Sequence, residues 1–195
     1  MGNLNSVKRK FSKNGIESVI SNDPDQVSQA EKLVLPGVGH FQKAVANLKI
    51  SGLWEALNHA IVKEKVPILG ICLGMQLMAK HSEEGDVSGL GWFDGEVVKF
   101  KVKDQIKHKI PHIGWNTARK CKGSLLFEGL PDYPEFYFVH SYHFKSNDQP
   151  DVLSYTNYEY EFCSAVQKDN VYGVQFHPEK SHDIGEQMLL NFSRV

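Results

Sequence analysis

An α/β fold is what this sequence predicts, on three observations. Short apolar runs alternate with longer amphipathic stretches over the first two-thirds of the chain, the pattern of strands and helices stacked in layers. One run, Val66 to Cys72, is apolar enough throughout for a strand buried on both faces. Beyond Gly85 the texture changes to period-two alternation, which adds antiparallel strands to the sheet.

In chain order, a polar segment at 3–14 precedes the apolar run IESVI at 16–20. KLVLP at 32–36 reads as a buried strand ended by the proline-glycine turn PGVG at 36–39. Between Phe41 and Lys65, residues Leu53, Trp54, Leu57, Ala60 and Ile61 recur at helical spacing, so one helix face is expected to be buried. VPILGIC at 66–72 is the central strand. Further strands are expected in EVVKFKVK at 96–103, FYFVHSYHF at 136–144, FCSAVQ at 162–167 and VYGVQF at 171–176. A last helix near 183–194 carries Ile184, Met188, Leu189 and Phe192 on one side. No repeat or composition break marks a second domain, so 1–195 is read as one domain.

Bulk properties narrow the function. The 22 Lys plus Arg against 23 Asp plus Glu leave a formal charge of -1, so no long-range field draws the chain to nucleic acid or a membrane surface. The lysines of 99–109 alternate with apolar residues and read as a solvated strand face. Three widely spaced cysteines, Cys72, Cys121 and Cys163, suit a reducing compartment better than a disulfide framework. The start lacks an apolar signal-type core, and the stretch at 66–75 is too short and glycine-rich to span a bilayer. The expected location is the cytoplasm.

The strongest chemical signal is GICLGMQ at 70–76. A strand running into small-x-nucleophile-x-small and then a helix is the pattern of a nucleophile elbow, whose sharp turn leaves no room for side chains at its flanks. Cys72 would sit at a helix N-terminus, where backbone N–H groups favour a thiolate. A lone cysteine on an apolar strand is more often structural, and Gly70 and Gly74 reverse that preference. A thiol needs a base, and the chain offers nine histidines. His177 follows the strand VYGV, and Pro178 holds Glu179 in a turn beside it, completing a nucleophile, a base and an acid that orients the base. His140 and His143 are rival bases, and no C-x-x-C pair accompanies them for a metal site. Backbone donors for an oxyanion are expected from Leu73 after the nucleophile and from the PGVG loop, both at carboxyl ends of strands.

PGVGHF at 36–41, GICLGMQ at 70–76, EEG at 83–85, HIGWN at 112–116, YFVHSYH at 137–143 and VQFHPEKS at 174–181 together resemble the class I glutamine amidotransferases, in order and over almost the whole chain. The likeness is strongest to those serving as glutaminase subunits of imidazole glycerol phosphate synthase. It implies a flavodoxin-like fold, a mixed and mostly parallel central sheet flanked by helices, with a smaller antiparallel extension. It implies that Cys72 attacks the side-chain amide of L-glutamine to form a thioester, with His177 moving protons and Glu179 orienting His177. Gln76 and Glu84 then match substrate-binding positions, and Gly39 and the backbone of His140, Ser141 and Tyr142 complete the pocket. The Val38 peptide matches an oxyanion position that reorients when the synthase is active. No cofactor or metal is implied, and the implied partner is a (β/α)8-barrel cyclase in a heterodimer, in histidine biosynthesis.

Two features depart from the family pattern. Members usually start with an apolar strand ahead of the segment that here reads MGNLNSV, so one strand is expected to be missing before Met1. Trp92 to Asp94 differ from the usual histidine-pathway residues, which keeps a sugar-amidating synthetase as an alternative ammonia acceptor. A silent glutamine-binding homologue and a Cys-dependent peptidase are the readings from other classes. Cys72, His177 and Glu179 argue against the first, and Gln76, Glu84 and the HSY run against the second.

Overall fold

The computed structural model describes residues 4–104 and 106–195; Met1–Asn3 of the opening segment and Gln105 of the lysine-rich run lie outside the described residues. The polar opening segment is helix α1 (Leu4–Lys13), amphipathic, with Val7 and Phe11 buried. Its Lys10 and Lys13 and the side chain of Asn14 converge on Glu186. A short helix α2 (Pro24–Ser28) starts on an Asp23 cap, whose carboxylate accepts from the Asp25 N–H at 3.0 Å.

The expected helix over Phe41 to Lys65 is broken. Helix α3 (Phe41–Ile50) ends at Ser51, and Gly52, at φ +73°, turns the chain into α4 (Leu53–Asn58), which runs on as a π-helical turn over His59–Lys63. A left-handed glycine is a natural stop, and apolar periodicity does not register it.

Strands β1 (Leu33–Gly37), β2 (Ile68–Cys72), β3 (His81–Ser82), β4 (Val87–Ser88), β5 (Gly95–Lys99), β6 (His112–Thr117), β7 (Arg119–Lys120), β8 (Glu135–His140), β9 (Tyr142–Ser146), β10 (Val152–Tyr158), β11 (Tyr160–Lys168) and β12 (Val171–Val174) form two sheets. The larger has the order β1-β2-β12-β11-β9-β5-β3-β4, with β10 on β11 and β7 on β10. Only β1-β2, β2-β12 and β3-β5 pair in parallel, so among the described residues the antiparallel part carries more of the pairing than the expected small extension. Strands β6 and β8 form the second sheet.

Two expected strands are redrawn. FYFVHSYHF splits at Ser141: β8 pairs with β6, and β9 pairs with β5 in the other sheet. EVVKFKVK stops at Lys99, and beyond it the backbone N–H groups of Lys101, Lys103 and Asp104 go to side-chain oxygens of Tyr160 and Glu159 instead of a ladder. IESVI belongs to no sheet, and Val19 is 82% exposed. A groove of about 770 Å³ runs between Glu17–Ser21 and β1, with Val7 and Phe11 of α1 among its lining.

Side chains alternate across β2. Leu69 and Ile71 join a cluster with Phe136, Phe138, Phe176 and the Met188 and Leu189 of the last helix, α6 (His182–Ser193). Ile68 joins the opposite cluster with Phe41, Leu57, Phe93 and Phe144. Each such fully buried side chain is worth about 1.5–3 kcal/mol. This two-sided burial fixes the carboxyl end of β2, where the site lies.

Candidate active site

Cys72 ends β2, and helix α5 (Leu73–Gln76) starts at the next residue. Its φ of 54° and ψ of -111° lie where a residue with a side chain is strained, typically by about 1–3 kcal/mol. Surrounding contacts hold it there. A Cβ on Gly74 would fall on the carbonyl oxygen of Leu35, and one on Gly70 would meet the Met75 nitrogen at 2.7 Å and the Gly74 carbonyl carbon at 2.8 Å. The small residues two before and two after the thiol are therefore steric necessities. The Sγ atom accepts from Gln175 Nε2 at 3.6 Å and lies 3.9 Å from the Val139 carbonyl oxygen.

His177 follows β12, which pairs in parallel with β2, so it emerges at the same sheet end as Cys72. Its backbone N–H donates to the Tyr137 carbonyl at 2.9 Å, and its own carbonyl accepts from Ser181 Oγ at 2.6 Å. The Ser181 hydroxyl also accepts from the Tyr137 N–H, tying β8 to the His177 turn. His177 Nδ1 lies 2.8 Å from Glu179 Oε1, and both side chains are buried. The carboxylate only accepts, so Nδ1 carries the proton and Nε2 is left for the thiol side; Nε2 is buried and has no hydrogen-bond partner among the described residues. Burial opposes charge on the ring, but the Cys72 sulfur, as an acceptor, and then Glu179 outweigh it and raise the His177 pKa to about 9. The structure thus brings Cys72, His177 and Glu179 to one end of the sheet.

The PGVG loop also reaches the elbow. Gly37 pairs with Cys72, and a Cβ on it would meet Leu73 Cβ at 2.9 Å, so Val38 and Gly39 follow directly beside Cys72. Val38 is exposed, and Gly39 has φ +110°. Glu84 Oε2 accepts from the Phe41 N–H at 2.7 Å, so the carboxylate caps α3 from across the fold. Burial first, then Glu84 and Glu83, raise the Tyr142 phenol pKa. The Ser141 carbonyl accepts from the Phe100 N–H. Gln76 is buried, and its amide nitrogen already donates to the Tyr142 carbonyl and to Gln175 Oε1, each at 2.9 Å. Its side-chain oxygen has no such partner among the described residues.

The rival histidines turn away. His140 donates from Nδ1 to the Tyr142 carbonyl and places Nε2 3.0 Å from His112 Nδ1, while His143 Nε2 lies 3.0 Å from the Tyr160 hydroxyl. Burial lowers the pKa of both, His140 well below the ordinary value. The other thiols differ from Cys72 in setting: Cys121 is exposed, and burial pushes the Cys163 thiol far up.

The family model of glutamine amidotransferase class-I matches residues 1–194. This chain belongs to that family. The imidazole glycerol phosphate synthase subunit HisH 2 of Methanococcus maripaludis is 50% identical, over 98% of this chain and 94% of its own length. Subunit HisH 1 of Campylobacter jejuni is 45% identical, over 100% and 96%. Among solved structures, a glutamine amidotransferase superimposes with a TM-score of 0.74 at 19% identity, covering 100% of this chain and 95% of that one, so the fold is shared.

As a glutamine amidotransferase, the chain holds its thiol in a network that sequence reasoning left without a role. Gln175, fully buried, and His112 were the residues missed. A signal existed for the first: a polar residue at the end of the apolar run VYGVQF, two positions before His177. Trp92 and Asp94, the residues that depart from the family pattern, have local roles: Trp92 Nε1 donates to Asn58 Oδ1 at 2.9 Å, and Asp94 pairs with Lys80 at 2.9 Å.

Proposed function

We propose that this chain is a single-domain glutaminase, the ammonia-supplying subunit of an imidazole glycerol phosphate synthase in histidine biosynthesis. The observation that carries the chemistry is the His177–Glu179 pair beside the strained Cys72 elbow. The relatives that bear the synthase's name, matched over nearly their full length, support the pathway.

In this reading a glutamine side-chain amide lies over Cys72, and the thiolate adds to its carbon. Oxygen carries the resulting charge, held by the Leu73 N–H and the Val38 peptide. Collapse expels the nitrogen, which takes a proton from His177 and leaves as ammonia, and the thioester remains. Neutral His177 then removes a proton from water, hydroxide adds to the thioester, and glutamate departs as Cys72 regains its thiolate. A raised His177 pKa suits the first step, because a protonated imidazole beside a thiolate is ready to protonate the leaving nitrogen. Gln76 through its side-chain oxygen, Glu84, Gly39 and the backbone of His140, Ser141 and Tyr142 frame the substrate.

The partner is a (β/α)8-barrel cyclase that takes the ammonia, in a cytoplasmic heterodimer whose complete reaction is that of a lyase. The Val38 peptide, on an exposed glycine-flanked loop, completes the oxyanion site only when that partner is bound and loaded. Loss of one oxyanion donor costs roughly a hundred- to a thousandfold in rate. Glutamate release is therefore expected to be very low for the chain alone and to rise by about that factor with the loaded cyclase, in kcat more than in KM. Full-rate hydrolysis by the isolated chain, unchanged by the cyclase, would replace this reading with an autonomous amidohydrolase. Trp92 to Asp94, which depart from the family pattern, call for a second arm to the experiment, a sugar-amidating synthetase as acceptor. Activation by that synthetase and not by the cyclase would reassign the pathway and keep the glutaminase.

A further inference from the structure

The hydrogen bonds behind Cys72 have one consistent set of directions. The Tyr142 carbonyl can only accept, so His140 Nδ1 donates to it at 2.8 Å. Neutral His140 then accepts at Nε2, and the donor 3.0 Å away is His112 Nδ1. Neutral His112 in turn accepts at Nε2, where Asn116 Nδ2 lies at 3.3 Å; that amide is oriented by donating to the Asn157 carbonyl at 2.9 Å and accepting from the Thr117 N–H at 2.8 Å. Burial supports the neutral forms, pushing His112 down to about 4 and His140 well below its ordinary value. On the other side of the Tyr142 carbonyl, Gln76 Nε2 donates both to it and to Gln175 Oε1. With its oxygen thus committed, Gln175 has its nitrogen toward sulfur, and Nε2 donates to Cys72 Sγ. A flipped Gln175 would set an oxygen against the thiolate and a nitrogen against a nitrogen.

We infer that Gln175 is a positioning residue for the nucleophile, its amide donating to the Cys72 sulfur and favouring the thiolate, with the Gln76–Tyr142–His140–His112 chain holding that amide in the donating orientation. The inference rests on Cys72 as the nucleophile of the proposed glutaminase. It gives Gln76 a second task besides substrate binding. The titratable group that acts on the sulfur is His177, with Glu179 behind it, from the turn after β12. Gln175 adds a fixed, uncharged donor to that pair.

The test is the pH dependence of Cys72 alkylation by iodoacetamide in the full chain without glutamine or partner, so it reads the thiol whether or not the glutaminase assignment holds. In Gln175→Met, which keeps the bulk and removes the donor, the alkylation midpoint is expected to rise by about one pH unit and the rate at neutral pH to fall about tenfold. In Gln175→Glu, of the same shape, the carboxylate faces the sulfur and the midpoint rises further. With the cognate synthase present, kcat falls in both variants while KM changes little. A wild-type midpoint in a folded Gln175→Met or Gln175→Glu overturns the inference, as does a loss confined to KM. The unmodified protein decides the matter if both variants fail to fold. Its Gln175 side-chain amide protons must shift as Cys72 titrates, and an unmoved pair overturns the assignment. Absence of glutaminase activity in every form, with the alkylation midpoint still raised in the two variants, would count against the function and leave the Gln175 contact standing.

Discussion

The carboxyl end of β2 and the outer edge of β1 belong to the same sheet and are built in opposite ways. Every residue of Ile68–Cys72 is buried, whereas every residue of Leu33–Gly37 is only half-buried. At the β2 end, a strained backbone is locked by two glycines and a directed chain of side-chain hydrogen bonds. Along β1, a groove separates the strand from the extended Glu17–Ser21 segment, whose Ser18 hydroxyl is buried and has no hydrogen-bond partner among the described residues. The carboxyl end of β1 thus takes part in the elbow, where Leu35 and Gly37 pack against α5, while its outer edge is a separate matter of stability.

The largest effect belongs to the nucleophile. Cys72→Ala is expected to leave under about one per cent of glutamine hydrolysis, measured as glutamate with the loaded partner, while partner binding persists. Cys121→Ala in the same assay is expected to match the parent, and more residual activity in Cys72→Ala than in Cys121→Ala would remove Cys72 from its role.

Steric strain at the elbow comes next. Gly74→Ala puts a Cβ on the Leu35 carbonyl oxygen, so chemical denaturation is expected to show a loss of about 3 kcal/mol and alkylation of Cys72 should change with it. An unchanged midpoint would mean that β1 and α5 separate easily, and the comparison would lose its rigid side.

The edge responds in the other direction. Joining an apolar, strand-forming segment ahead of residue 4 is expected to fill the groove, pair with β1 and raise stability by about 2 kcal/mol, several degrees in Tm. Equal melting of the extended and parent chains would show that the edge needs no further strand. A smaller change sharpens the same point: Ser18→Ala removes an unsatisfied hydroxyl and is expected to stabilise by about 1 kcal/mol.

pH separates two buried histidines. The His177 pKa is raised to about 9, above its unfolded value, so its contribution to stability is fully present below about 6.5 and disappears as pH climbs through 9. His112 is lowered to about 4, so its contribution is present above about 6.5 and is lost as pH falls through 4. Glu179→Gln weakens support for the His177 charge, and its unfolding curve is expected to show a shallower alkaline slope while keeping the acid one.

Elements whose signals are local are legible in the chain. Gly70 and Gly74 around Cys72 announce a tight turn because a side chain there has nowhere to go, and Pro178 beside His177 announces a turn that holds Glu179 near the ring. The apolar run of β2 and the period of α6 are equally local. Other features depend on partners far apart in the chain and emerge on folding. Gly52 ends a helix whose apolar spacing continues past it, and Ser141 divides one alternating run between two sheets because β6 and β5 compete for its halves. Glu84 finds the N-terminus of α3 across 43 residues, and Gln175 reaches Cys72 across 103. A hydrogen bond of that span leaves no periodicity in the chain, since its donor and acceptor are selected by the sheet order that brings β12 beside β2.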